Sequence, residues 1–193
     1  MPEIHSVAVF CGAQAGNAPQ FSDAATELGG ALARAGIRLV YGGGRVGLMG
    51  ALADGAIAAG GEVIGVIPEF LTRWEVAHDG VAELIVTDSM HTRKTRMFEL
   101  SDAFVSLPGG LGTLDETIEI ITWRQLKLHD KPILICDVAD YAAPLVAAVE
   151  AAIQAGFARP EVRDLFELMR GVPATIERLQ HLNSARGGAA ALL

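Results

Sequence analysis

The sequence predicts a single α/β domain built as a doubly wound parallel sheet with helices on both faces. Three observations carry that prediction. Short, near-continuous apolar runs alternate with longer stretches of helical spacing, the pattern of strands buried on both faces and joined by crossover helices. Glycine-rich turns follow the first, second and fifth of these runs, and in such sheets the turns that follow strands gather at one ligand-binding edge. The 193 residues, 51% apolar and 20% charged, suffice for one substantial core and require no second domain. One nucleotide-binding domain over 1–182 is expected, followed by a disordered tail over 183–193.

The first strand, 7–10, ends in Cys11-Gly12-Ala13-Gln14-Ala15-Gly16, and a helix over 19–34 follows that Gly36 closes. A second strand, 37–41, leads through Gly42-Gly43-Gly44-Arg45-Val46-Gly47-Leu48-Met49-Gly50 into an alanine-rich helix ending at Ala59. The third strand, 62–67, stops at Pro68, and no period holds across 69–80, which reads as an irregular excursion. A fourth strand, 82–87, precedes a helix over 90–100 with His91, Arg93, Lys94 and Arg96 near its start. Cations there oppose the helix dipole. An anionic ligand between them is therefore predicted, the other reading being a solvated basic face beside Glu99 and Asp102. The fifth strand, 103–107, runs into a glycine turn and a helix over 114–128; a sixth strand, 132–136, a helix over 141–154, a short edge strand, 166–169, and a last helix, 174–182, complete the chain.

A net charge of -8 and a pI near 5.1 argue against a general nucleic-acid or anionic-membrane surface, so anionic ligands must be met locally. No apolar run is long enough to span a bilayer and no basic leader precedes the first strand, so a cytoplasmic location is expected. Cys11 and Cys136 end two apolar runs without CxxC or Cys/His spacing and read as buried free thiols. The five histidines form no HxxxH or HxH pair and no serine sits in a GxSxG turn, which removes support for metal hydrolysis and serine chemistry.

Gly42-x-Gly44-x-x-Gly47 fits the dinucleotide fingerprint, yet it follows the second strand, and its acidic partner could only be Glu69, placed after Pro68. Each glycine there reads either as a tight turn with close helix packing or as a phosphate contact. The stretch Pro108-Gly109-Gly110-Leu111-Gly112-Thr113-Leu114-Asp115-Glu116 is more informative. Glycines at a strand-to-helix turn let backbone amides approach a ligand, and the unpaired amides of a first helical turn attract a phosphate. The missing GK[ST] ending excludes a Walker loop. Carboxylates beside a phosphate point instead to work on a developing positive charge or on a water. Helix neighbours point about 100° apart, so one of Asp115 and Glu116 faces the ligand. Asp115 doubles as a complement to the helix dipole, and Glu119 lies three residues after Glu116 on the same face.

Together, Gly42-Gly43-Gly44-x-x-Gly47-Leu48-Met49-Gly50, Met90-His91-x-Arg93-Lys94 and Pro108-Gly109-Gly110-x-Gly112-Thr113-x-x-Glu116, in this order and spacing, resemble the cytokinin riboside 5′-monophosphate phosphoribohydrolases, a family long labelled lysine decarboxylases. The resemblance spans residues 5–180 and extends to Ile121-Thr122-Trp123 and His129-Asp130-Lys131-Pro132. It implies a Rossmann-like fold and hydrolysis of the N-glycosidic bond of a nucleoside 5′-monophosphate, giving free base and ribose 5-phosphate without metal or cofactor. It also implies a homodimer with the site near the interface. Carried onto this chain, it makes Arg93 and Glu116 the catalytic pair. Gly43, Gly44, Glu75, Met90, Lys94, Gly109, Gly110, Leu111, Gly112, Thr113 and Thr122 become substrate contacts.

Arg93 has two open roles, a fork on the phosphate or support for the departing base. Ile118, Ile121 and Trp123 read as a dimer face or as packing on the sheet. The chain departs from the family at Ala13 and Gln14, where two serines are common, and at Leu111, where an aromatic is frequent. AMP nucleosidase activity, or a non-catalytic nucleotide-binding or carrier protein of the same fold, are the alternative functions. Lysine decarboxylation needs pyridoxal phosphate on a lysine, and Lys94, Lys127 and Lys131 lack a recognisable setting for it.

Overall fold

Side chains alternate across a strand, and β1 (Ser6–Phe10), buried throughout, shows what that does here. Val7 and Val9 enter one apolar layer, while Ala8 and Phe10 enter another on the opposite face. The computed structural model describes residues 3–72 and 78–190, with side chains to Asn183. All seven expected strands form: β1, β2 (Arg38–Tyr41), β3 (Val63–Pro68), β4 (Glu83–Thr87), β5 (Ala103–Ser106), β6 (Ile133–Asp137) and β7 (Glu167–Arg170). They pair in parallel in the order β4-β3-β2-β1-β5-β6-β7, with Phe10 opposite Ser106 where β1 meets β5.

One face of the sheet is covered by α1 (Pro19–Arg34), α2 (Gly47–Ala58) and α6 (Gly171–Ala190), through Leu28, Leu32, Leu48, Leu52 and Leu179. The other face takes α3 (Met90–Glu99) and α4 (Leu111–Gln125), through Met97, Ile120 and Ile121. α5 (Ala143–Gln154) follows β6. Among the described residues, no helix is long and apolar enough to cross a membrane.

The strand order fixes where a ligand can sit. The chain winds outward from β1 through β4, then returns to the other side of β1 with β5. The two loops leaving β1 and β5 therefore diverge to opposite faces and open a crevice at the carboxyl edge.

Several helix boundaries differ from expectation. α4 begins at Leu111 rather than at residue 114, because Gly110 stays extended as N-cap and its carbonyl accepts from Leu114 N–H at 3.1 Å. Half of the glycine motif is thus helix rather than turn. α4 also ends at Gln125, and Lys127 turns the chain with φ 60°. The last helix starts at Gly171 and continues past Leu182, where the sequence reading ended it. Within the irregular excursion, Glu69–Leu71 forms a single 3₁₀ turn; Glu75 lies outside the described residues.

Candidate active site

A cavity of about 490 Å³ occupies the crevice between the β1 and β5 loops. Its walls are the 11–16 loop after β1 and the Pro108–Thr113 segment, closed by Arg93, Met90 and Leu71 on one side and by Phe21 and Tyr141 on another.

Arg93 is the most constrained cation of the site. It projects from α3, is only 6% exposed, and donates from Nε to the Val66 carbonyl at 3.1 Å and from Nη2 to the Gly42 carbonyl at 3.1 Å. Both acceptors lie at the carboxyl edge of neighbouring strands, so the sheet itself orients the guanidinium. Nη1 faces Met90 Sδ at 3.8 Å and Glu116 Oε1 at 3.8 Å. Gly42 is what makes this possible, since a Cβ there would lie 2.1 Å from Arg93 Nη2.

Glu116, 8% exposed, enters the cavity from the second turn of α4. A buried carboxylate is costly unless paired, and Arg93 is one group that pairs with it. The 3.8 Å separation is longer than the ~2.8 Å of a tight charge-assisted hydrogen bond, so the pair is a loose one on the cavity wall. At the start of the same helix stand Gly110 and Gly112. A Cβ on either would meet nothing within 4 Å. Gly109 is the opposite case: its Cβ would meet Thr113 Oγ1 at 2.1 Å and Gly12 N at 2.8 Å, so glycine is needed for the two loops to approach.

The basic cluster at the start of α3 resolves into three separate partners. Arg93 turns into the sheet edge. Lys94, adjacent on the helix and so rotated away, pairs with Asp115 at 2.5 Å and Glu119 at 3.2 Å. Burial works against its ammonium charge, but hydrogen bonds to Asp115 and Glu119 outweigh it and hold the pKa above the usual lysine value. Arg96 pairs with Glu99 at 3.2 Å. Lys94 is a clamp between α3 and α4, outside the cavity lining.

The structure gathers Arg93, Glu116, Met90, Gly109, Gly110, Gly112 and Thr113 around one cavity. It leaves others apart. Gly43 takes φ 76° and packs against Ile67 and Leu84, and Gly44, also buried, is not among the lining residues. Leu111 is 85% exposed, and Thr122 bonds the Ile118 carbonyl of its own helix at 2.8 Å. Of the apolar α4 residues, Ile121 is core and Trp123 packs edge-on to Phe98, while Ile118 stays 42% exposed. Cys11 and Cys136 are buried and in no disulfide, and burial raises the Cys136 thiol pKa to about 11. Sequence reasoning missed Phe21, Leu71 and Tyr141. The signal available for Tyr141 was its place in the loop after β6, which the parallel-sheet rule puts at the same edge.

The family model described as "Possible lysine decarboxylase" matches residues 49–179. A cytokinin riboside 5′-monophosphate phosphoribohydrolase of Rhodococcoides fascians is 44% identical over 93% of this chain and 91% of that protein. Another of that name from Arabidopsis thaliana is 41% identical, covering 90% of this chain and 82% of that one. Among solved structures, a molybdenum cofactor binding protein from Rippkaea orientalis superposes with a TM-score of 0.71 at 24% identity, over 94% of this chain and 98% of that one, a likeness of fold. The family the motifs resemble is the one the relatives carry: the chain belongs to the cytokinin riboside 5′-monophosphate phosphoribohydrolase family.

Proposed function

We propose that this protein hydrolyses the N-glycosidic bond of N6-modified adenosine 5′-monophosphates, releasing free base and ribose 5-phosphate. One observation carries the reading: Arg93 and Glu116 pair in a cavity that the open glycine start of α4 also lines. The amides there receive the 5′-phosphate, aided by the helix dipole. As the bond from the sugar to the base nitrogen breaks, the base keeps the electron pair and positive charge grows on the ribose. Glu116 stabilises that charge and takes a proton from the attacking water, whose oxygen becomes the new hydroxyl of ribose 5-phosphate; the departing base nitrogen takes up a proton from solvent, and Glu116 returns its own to solvent to restore the carboxylate. Arg93 positions Glu116 through Nη1, and Nη1 is its arm toward the substrate. Apolar lining by Phe21, Leu48, Met49, Leu71 and Met90 favours an apolar N6 substituent over plain AMP.

In this reading the enzyme works as a cytoplasmic homodimer, for which the exposed Leu111 and Ile118 on α4 speak. The test is to incubate purified protein with isopentenyladenosine monophosphate, AMP and both unphosphorylated ribosides, following free base by chromatography. Base is expected from the monophosphates, fastest from the isopentenyl compound. No base from either monophosphate overturns the enzyme, and equal rates on ribosides overturn the phosphate's place at the glycine turn.

A further inference from the structure

Tyr141 reaches the cavity from a loop that no sequence motif marks. Its ring meets Phe21 edge-on, with centroids 5.9 Å apart and planes at 75°, and its hydroxyl donates to the Gly109 carbonyl. The loop that delivers it is unusual. Ala139 and Asp140, immediately before it, take φ 55° and 57°, a left-handed conformation that alanine in particular avoids. Immediately after it, Ala142 N–H donates to Asp137 Oδ1 at 2.9 Å. Two successive left-handed residues persist only where the surroundings impose them, and such strain gathers at functional sites.

What this loop secures is the Gly109–Gly110 peptide. A peptide flanked by two glycines rotates readily between orientations, and because it is planar and trans its carbonyl and its following amide point in opposite directions. In one orientation the turn offers a phosphate an N–H; in the flipped one, a repelling oxygen. Engaging the Gly109 oxygen fixes the choice.

We propose that Tyr141 is a positioning residue for the 5′-phosphate: its hydroxyl locks the Gly109–Gly110 peptide so that the turn meets a phosphomonoester with its amide. The inference rests on the placement of the phosphate at this turn. The variant Tyr141→Phe keeps the ring against Phe21 and removes only the hydroxyl. Ribose 5-phosphate affinity by calorimetry, kcat and KM for the monophosphate and kcat/KM for its riboside are compared with the parent, alongside thermal melting. The dissociation constant of ribose 5-phosphate and KM for the monophosphate are both expected to rise about 3- to 10-fold, the reach of one hydrogen bond. kcat, riboside turnover and the melting midpoint stay near the parent values. Unchanged ribose 5-phosphate affinity overturns the proposal, as does a loss confined to kcat or to melting. Weaker ribose 5-phosphate binding in a variant of a parent that cleaves no monophosphate sinks the proposed activity and leaves Tyr141's role standing. Full affinity in a variant of an active parent does the reverse.

Discussion

Two glycine-rich turns leave the same edge of the sheet, one after β2 and one after β5, and they use the missing side chains differently. After β2 the space is filled by the protein itself. A Cβ on Gly42 would meet Arg93 at 2.1 Å, on Gly47 the Ala13 carbonyl carbon at 2.4 Å, and on Gly50 the Arg45 carbonyl oxygen at 2.0 Å. After β5, Gly109 is filled in the same way, but Gly110 and Gly112 open onto space. The turn that matches the dinucleotide fingerprint is thus the packed one. The turn that ends in the cavity matches no nucleotide-triphosphate or dinucleotide pattern. Glycine spacing reports that a backbone comes close to something; only the neighbours tell whether that something is protein or ligand.

The comparison is broken most severely at the residue on which the open turn converges. Glu116→Gln is expected to lower kcat about 10²- to 10⁴-fold, the range for a positioned general base, with ribose 5-phosphate affinity retained; parent-like turnover in single-turnover assays removes Glu116 from the chemistry. Next comes the packed turn. Gly42→Ala forces the Arg93 guanidinium from its carbonyl partners, and since the clash falls on the end of a flexible side chain the fold tolerates it. A displacement of about 1 Å in such a group costs on the order of 10²-fold in kcat/KM. A variant that melts like the parent but has lost activity is the expected result, and full activity would show that Gly42 serves packing alone.

Smaller effects sharpen the boundary of the site. Lys94→Met removes the clamp on Asp115 and Glu119 and is expected to lower stability by about 1 kcal/mol in urea titrations. Its effect on monophosphate KM should fall well below that of Gly42→Ala, and a larger one would return Lys94 to the substrate. The smallest effect lies past the end of α4. His129 bonds the Ile120 carbonyl at 2.9 Å and packs on Phe98 and Phe104, and burial holds its pKa below the usual histidine value. A histidine depressed in the folded state is protonated first in the unfolded chain. Its stability contribution is therefore complete above about pH 6.5 and is lost as pH falls toward the folded value. The urea midpoint should drop more between about pH 7.5 and pH 5 in the parent than in His129→Gln; equal drops would remove His129 from that window.

Much of this was legible in the chain. The seven strands and the crevice at their carboxyl edge follow from apolar runs and glycine turns, and Arg93 and Glu116 are singled out by the family resemblance that the motifs carry. The direction of Lys94 was not legible, because adjacent residues on α3 differ by about 100° and only the placement of α4, with Asp115 and Glu119, decides which faces the cavity. The role of Gly43 was hidden for a related reason, since the atoms that fill its surroundings come from β3 and β4. Tyr141 and Phe21 meet across 120 residues of sequence, and no local period encodes such a contact.

In the proposed reaction the open turn after β5 holds the phosphate while Glu116 acts on the sugar. The most direct measurement is the ratio of kcat/KM for isopentenyladenosine monophosphate to that for its unphosphorylated riboside, in the parent and in Gly112→Ala. The new methyl projects into space the fold leaves open, so the folded state persists and only the phosphate is crowded. A large ratio in the parent that collapses in the variant, with riboside turnover unmoved, is the predicted result; a ratio that survives the methyl group would contradict the account.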